Sequence, residues 1–378
     1  MRTLLIAVVL TTCATAQLNA QGWAMHQQEI DDQNANFKKW WNDGLVWKFD
    51  ELPTKGSVEK HRIPYAGHIY PDNGGGTVNE MAQYDRAFYA GNSRAGAWER
   101  WDIGAHQVTT SRRGGLFGGR VYYSSSTPYW SGHCNGWTAA AIRHAEPKKS
   151  VTRNGVTFTP SQIKGILAEM YTFTETEFLG GLDTTLHPAT LHVIMSNWIG
   201  RKQHPIAMES TPGREIWNFP VYSYATASAR RGGNQVEVKM NIAYKNYTEG
   251  EQDHAPSNHL IKYFHYVLEL DDNGNIIGGQ YYGDSSRLDF LWVPLAPTQG
   301  GQEGNEQGNP HLRVADVIQL WRDSVDEADY QNWVNLDTPF TENVAETEDT
   351  ESTENPDVAV ETEANTDADV LADNTSGE

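Results

Sequence analysis

Tyr129-Trp130-Ser131-Gly132-His133-Cys134-Asn135-Gly136-Trp137-Thr138-Ala139-Ala140-Ala141 sets one cysteine between two glycines, directly ahead of an Ala-rich run. The glycines allow a tight turn, and the run predicts a helix over 137–144. The Cys134 sulfur then sits at a helix N-terminus, where unpaired N–H groups and the macrodipole favour a thiolate. The same N–H groups can hold the oxyanion that forms when a nucleophile attacks an amide carbonyl. The segment therefore predicts a cysteine enzyme that carries its acyl group as a thioester. Trp130 and Trp137 flank the sulfur and are candidates for the substrate-binding wall, one of them shielding the thioester from water. Core packing is the other reading of both.

The remaining cysteine is Cys13. It lies in an export signal predicted over 1–20, with Arg2 at its start, an apolar run from Leu4 to Leu10, and Ala14-Thr15-Ala16 for cleavage. Such a chain, extracellular or periplasmic once processed, keeps one thiol and can form no internal disulfide. An unpaired thiol outside the cell is a chemical liability and points to use.

The formal net charge of −20 is concentrated at the C-terminus. Residues 341–378 hold thirteen Asp or Glu and no Lys or Arg, so this tail is expected to be disordered. The remaining body is mildly acidic. That argues against nucleic-acid or anionic-membrane partners, and no run after the signal is long enough to span a bilayer.

Working outward from Cys134, the pattern stays helical to about residue 201. Thr159-Pro160 reads as an N-cap and first helical residue, and His187-Pro188 starts a further helix carrying Leu191, Ile194, Met195 and Trp198. From 204 to 294 the pattern is β. Val236 to Tyr244 alternates, and 261–270 with 276–282 flank Asp271-Asp272-Asn273-Gly274-Asn275, a hairpin signal. Residues 311–326 predict a last helix. Residues 21–60 are polar and Trp-rich, and 62–120 read as irregular structure with short elements. The organisation expected is a signal (1–20), an N-terminal region packed on the core (21–127), a catalytic core (128–335) and the tail (341–378). The fold class is α+β, with a helical lobe carrying the cysteine and an antiparallel sheet.

A thiolate needs a base, and the base an orienting group. His133 adjoins Cys134 and suits packing or turn formation better. His265, mid-strand in Tyr263-Phe264-His265-Tyr266-Val267-Leu268, is the candidate base, with His259 and His254 in reserve. If Asn273-Gly274 form a two-residue turn, His265 pairs with Tyr282 and Asp284 lies one diagonal step away on the same face. A three-residue turn with a glycine bulge shifts the pairing by one, and Gly278-Gly279 can shift it back. No metal or other cofactor is needed for this chemistry. Calcium finds no motif, because the 271–275 loop lacks an EF-hand's span and terminal Glu.

WSGHCNGWTAAAI (130–142), IWNFPVYSY (216–224) and YFHYVLELDDNGNIIGGQYYGD (263–284), with YAGHIYP (65–71) and MAQYD (81–85), resemble the transglutaminase elicitor family over about residues 60–295. The resemblance implies a papain-like core and protein-glutamine γ-glutamyltransferase activity. The partners implied are proteins with accessible Gln and Lys side chains, or small amines. It places the nucleophile on Cys134 and the base and carboxylate on His265 and Asp284, with Asp289 as a rival acid. Segment 216–224 matches the surface stretch that plant hosts recognise in the oomycete members. Phe219 replaces the polar residue usual there, and the disulfides described for those members have no counterpart here.

Overall fold

The computed structural model describes residues 24–333, except 26, 105–107, 114–119, 126 and 182–184. The expected signal with Cys13 and the acidic tail lie outside the described residues. The described residues fall in one compact unit. Among the described residues, no helix is long and apolar enough to cross a membrane.

The helices are α1 (Gln27–Trp41), α2 (Val78–Phe88), α3 (Ala95–Gly104), α4 (Cys134–Arg143), α5 (Pro160–Tyr171), α6 (Pro188–Ile194), α7 (Val314–Ser324) and α8 (Glu327–Trp333). The strands are β1 (Lys55–Ser57), β2 (Val108–Arg113), β3 (Arg120–Ser125), β4 (Val151–Arg153), β5 (Val156–Phe158), β6 (Thr176–Phe178), β7 (Ile206–Glu209), β8 (Asn218–Arg230), β9 (Gln235–Lys245), β10 (His259–Leu270), β11 (Ile276–Tyr281) and β12 (Leu291–Pro294). An eight-stranded antiparallel sheet runs β11-β10-β9-β8-β7-β12-β6, with β1 on β8. The α+β class and the antiparallel sheet are as expected.

Local chemistry accounts for the helix starts. Thr159 forms a capping box with Gln162, and Pro160 takes the first helical position of α5, where a missing N–H costs nothing. His187 caps α6 through its ring nitrogen, again ahead of a proline. That helix runs on through Met195–Arg201 with π geometry. Gly136 lets α4 and α5 approach closely, since a Cβ there would collide with the Ala168 carbonyl oxygen.

The region expected to be irregular instead holds α2 and α3, and the polar stretch before it holds α1. Met81, Tyr84 and Ala87 on α2 recur at helical spacing and are buried. On α1, Phe37 and Trp40 are buried, packing against Trp198. Tertiary burial of a few aromatics outweighs weak local pattern.

In the β10–β11 hairpin, the Asp271 carboxylate accepts the Asn273 and Asn275 amides, and Gly274 takes φ +85°. Leu270 pairs with Ile276, then a bulge shifts the register so that Glu269 pairs with Gly278. Beyond it Tyr266 pairs with Tyr281, and the Tyr282 amide donates to the His265 carbonyl. The turn is thus the longer one, and the glycine bulge restores the register of the shorter.

Candidate active site

Helix α4 begins at Cys134 itself, with His133 at the N-cap. The turn ahead of it is pinned on both sides. The His133 amide donates to the Ile69 carbonyl, and the Asp72 amide to the Ser131 carbonyl. Ser131 Oγ donates to Asp72 Oδ2 at 2.5 Å, and Asn135 Nδ2 to the Thr172 carbonyl at 2.6 Å. A side chain at Gly132 would press on the carbonyls of Ile69 and Tyr70, which explains a glycine there.

Cys134 is unpaired and buried, 5% exposed, yet it is one of the residues lining a cleft of about 470 Å³. Trp130, Phe173, Phe178, Ile216, Phe290 and Trp292 supply the apolar wall, and Asp72 and Asp102 the acidic groups. Sγ lies 3.6 Å from the Ile216 carbonyl oxygen and 3.7 Å from Asn218 Nδ2. The Asn218 amide is oriented in turn, because its Oδ1 accepts the Trp292 indole N–H at 2.8 Å. Cys134, Asn218 and Trp292 therefore form a hydrogen-bonded row at the head of α4, β8 and β12.

Burial pushes the Cys134 thiol above its ordinary pKa, against the backbone and side-chain amides of Asn218 and the Asn135 backbone. The expected preference for thiolate is outweighed in the unliganded protein, since desolvation penalises the charge more than the helix end rewards it. The Glu209 carboxylate also disfavours the thiolate. Glu209 is the cross-strand partner of Asn218. Burial raises it to about 7, against the amides of Trp217 and Thr211 that it accepts.

His133 faces away from the sulfur into a buried ionic cluster. Its Nε2 is 2.9 Å from Glu169 Oε2 and 3.5 Å from Glu99 Oε1, and Nδ1 is 3.2 Å from the Tyr70 carbonyl. Burial opposes the charge, but Glu169, Glu99 and Asp72 prevail and raise the ring to about 10. It serves packing and turn formation, as its place in the sequence suggests.

The His265–Asp284 pair forms: Nδ1 lies 2.9 Å from Asp284 Oδ1. It does not reach Cys134. His265 alternates with the fully buried Phe264 and Tyr266, and its ring packs against Tyr282. Its Nε2 is taken by Glu237 at 2.9 Å, so both ring nitrogens face carboxylates. Its register partner on β9, Lys239, pairs in turn with Ala227, toward the far end of the strand that begins at Asn218. Neither His265 nor Asp284 lines the cleft, and neither do the reserves His254 and His259. Among the described residues, the one imidazole lining it is that of His133. The rival acid Asp289 instead adjoins Glu209, whose carbonyl accepts its amide.

Trp130 lines the cleft. Trp137 does not: it is 2% exposed, donates to the Tyr65 carbonyl and packs edge-on against Phe219. The core reading holds for Trp137. Segment 216–224 is not a surface stretch here either, since Asn218 to Val221 are all buried and Ile216 is the exposed member. Nothing in the sequence marks Asn218, or Glu209 paired with it, because the closeness of Asn218 to Cys134 depends on which strand ends meet the helix, which no local pattern encodes.

A family model described as transglutaminase elicitor matches residues 112–254 and 234–302, together just over half of the chain. The chain belongs to the transglutaminase elicitor family. Among solved structures, the crystal structure of the GP42 transglutaminase from Phytophthora sojae is similar, with a TM-score of 0.61. Sequence identity is 24%, over 80% of this chain and 98% of that one, a likeness of fold. No curated protein matches.

Proposed function

We propose that the chain is an exported protein-glutamine acyltransferase built on a papain-like core, with Cys134 as nucleophile. The observation that carries this reading is the thiol at the head of α4, open to an aromatic cleft and faced by the oriented Asn218 amide. Cys134 Sγ attacks the γ-carboxamide carbon of a glutamine side chain. The oxyanion is held by backbone N–H groups at the helix start and by Asn218 Nδ2, donors fixed before the reaction begins. The thiol proton passes to Glu209, whose pKa of about 7 suits a proton carrier near neutral pH. It is then delivered to the leaving ammonia. A primary amine attacks the thioester, loses its proton to the same carboxylate, and releases the isopeptide product with free thiol.

The apolar cleft wall supports transfer to an amine over hydrolysis, because it keeps water from the thioester. The test is incubation of the purified protein with a glutamine peptide and a labelled amine. Amine incorporation is expected. Backbone cleavage of the peptide without incorporation would make the chain a protease, and ammonia release without incorporation a deamidase. Activity unchanged in Cys134→Ala would overturn the reading.

A further inference from the structure

We propose that Glu99, His133 and Glu169 form a binding site for one first-row divalent metal ion, Zn²⁺ being the best match, beside the nucleophile loop. The residues come from α3, from the N-cap of α4 and from α5, and one donor atom of each lies within 4.8 Å of the other two. His133 Nε2 is 2.9 Å from Glu169 Oε2 and 3.5 Å from Glu99 Oε1. Ligands bound at about 2.0–2.1 Å to a tetrahedral ion stand about 3.3–3.4 Å from one another. The two distances to His133 Nε2 are thus within tenths of an ångström of those an ion requires, and the two carboxylates lie within 4.8 Å of each other.

Two further observations point to a ligand. The Glu99 side chain is fully buried; its Oε1 accepts the Thr77 amide, while its Oε2 has no hydrogen-bond partner. A buried carboxylate oxygen left unmatched is costly, and an ion gripped by both Glu99 oxygens gives Oε2 the partner it lacks. On the far side of the ring, His133 Nδ1 faces the Tyr70 carbonyl at 3.2 Å. That back-side hydrogen bond is how a ligating imidazole is held in its tautomer, with Nε2 turned to the metal. Glu169 is held likewise, accepting Thr77 Oγ1 at 2.8 Å and Asn309 Nδ2 at 3.3 Å.

One imidazole and two carboxylates suit Zn²⁺, Co²⁺ or Mn²⁺, whereas Ca²⁺ takes six to eight oxygens and is poorly served here. An ion and a proton compete for Nε2, so binding is pH-dependent. The ion ties α3 and α5 to the residue preceding Cys134. It takes no part in acyl transfer, and its presence is independent of whether Cys134 reacts.

The test uses the full chain, stripped with a chelator and then equilibrated with Zn²⁺, Co²⁺ or Ca²⁺. Elemental analysis after gel filtration should find one equivalent of Zn²⁺, and Zn²⁺ should raise Tm where Ca²⁺ does not. Co²⁺ should give visible d–d absorption. Glu99→Gln, which keeps the side-chain volume, should abolish retention and the Tm shift while circular dichroism stays that of the parent; Asp284→Asn should keep both. Failure of the parent chain to retain Zn²⁺ or shift its Tm would overturn the proposal, as would full retention in Glu99→Gln. Because the readout is metal content, neither result depends on acyl transfer.

Discussion

Replacing Asn218 with alanine removes two hydrogen bonds with different consequences. The first is the Nδ2 contact to Cys134 Sγ at 3.7 Å, long for the resting thiol and positioned for an oxyanion formed beside it. Loss of one such donor costs about 10²–10³ in kcat, or roughly 2.7–4 kcal/mol of transition-state stabilisation. The second is the bond from the Trp292 indole at 2.8 Å. Its loss leaves a buried donor unmatched, which costs about 1–3 kcal/mol of folding stability. The two effects are separated by Asn218→Asp, which keeps an acceptor for Trp292 but presents a carboxylate to the sulfur. Amine incorporation into a glutamine peptide gives kcat and KM, and urea unfolding gives stability. Alanine should lower both kcat and stability, and aspartate should lower kcat with most of the stability retained. An alanine variant within about threefold of the parent kcat would refute Asn218 as an oxyanion donor.

Four further outcomes follow. Glu209, raised to about 7, must be ionised to accept the thiol proton, so kcat/KM should rise with pH through about 7 and this limb should vanish in Glu209→Gln. The same raised pKa means that Glu209 favours the folded state below its unfolded value near 4.5, and that this contribution is lost as pH rises through about 7. Urea titrations at pH 5 and pH 8 should therefore show a smaller stability loss for Glu209→Gln than for the parent. His265→Ala and Asp284→Asn should leave kcat within about threefold of the parent, since their pair lies outside the cleft; a loss of 10²–10⁴, as expected for a general base, would contradict the placement. Trp137→Ala should cost about 3–5 kcal/mol of stability by urea unfolding, whereas Trp130→Ala should raise KM with stability nearly unchanged.

Much of the fold could be read from the sequence because its signals are local. The cap at Thr159-Pro160, the alternation through β9 and the loop at Asp271–Asn275 each act within a few residues. The hairpin register was legible to within one residue, and the bulge near Gly278 decides it. Cys134 was legible for the same reason, as glycines, cysteine and helix are contiguous. Helix α1 was not, because its stability comes from Phe37 and Trp40 buried against the distant Trp198, and α3 buries mainly Ala95, Gly96, Glu99 and Ile103. The partner of Cys134 was hidden for a related reason. A histidine facing a carboxylate across a hairpin satisfies the local pattern of a catalytic pair, but alternation along β10 turns His265 away from the buried Phe264 and Tyr266. The side chain that does meet the sulfur, Asn218, and its cross-strand partner Glu209 come from paired strand ends brought to α4 by the sheet order β8-β7-β12.

The most direct measurement is the intact mass of the protein after rapid mixing with a glutamine peptide and acid quench, before any amine is added. The account predicts a covalent adduct equal to the peptide less ammonia, mapped to Cys134, discharged by an added primary amine and absent from Cys134→Ala. A parent chain that transfers peptide to amine with no adduct on Cys134, or a Cys134→Ala variant that still does so, would contradict it.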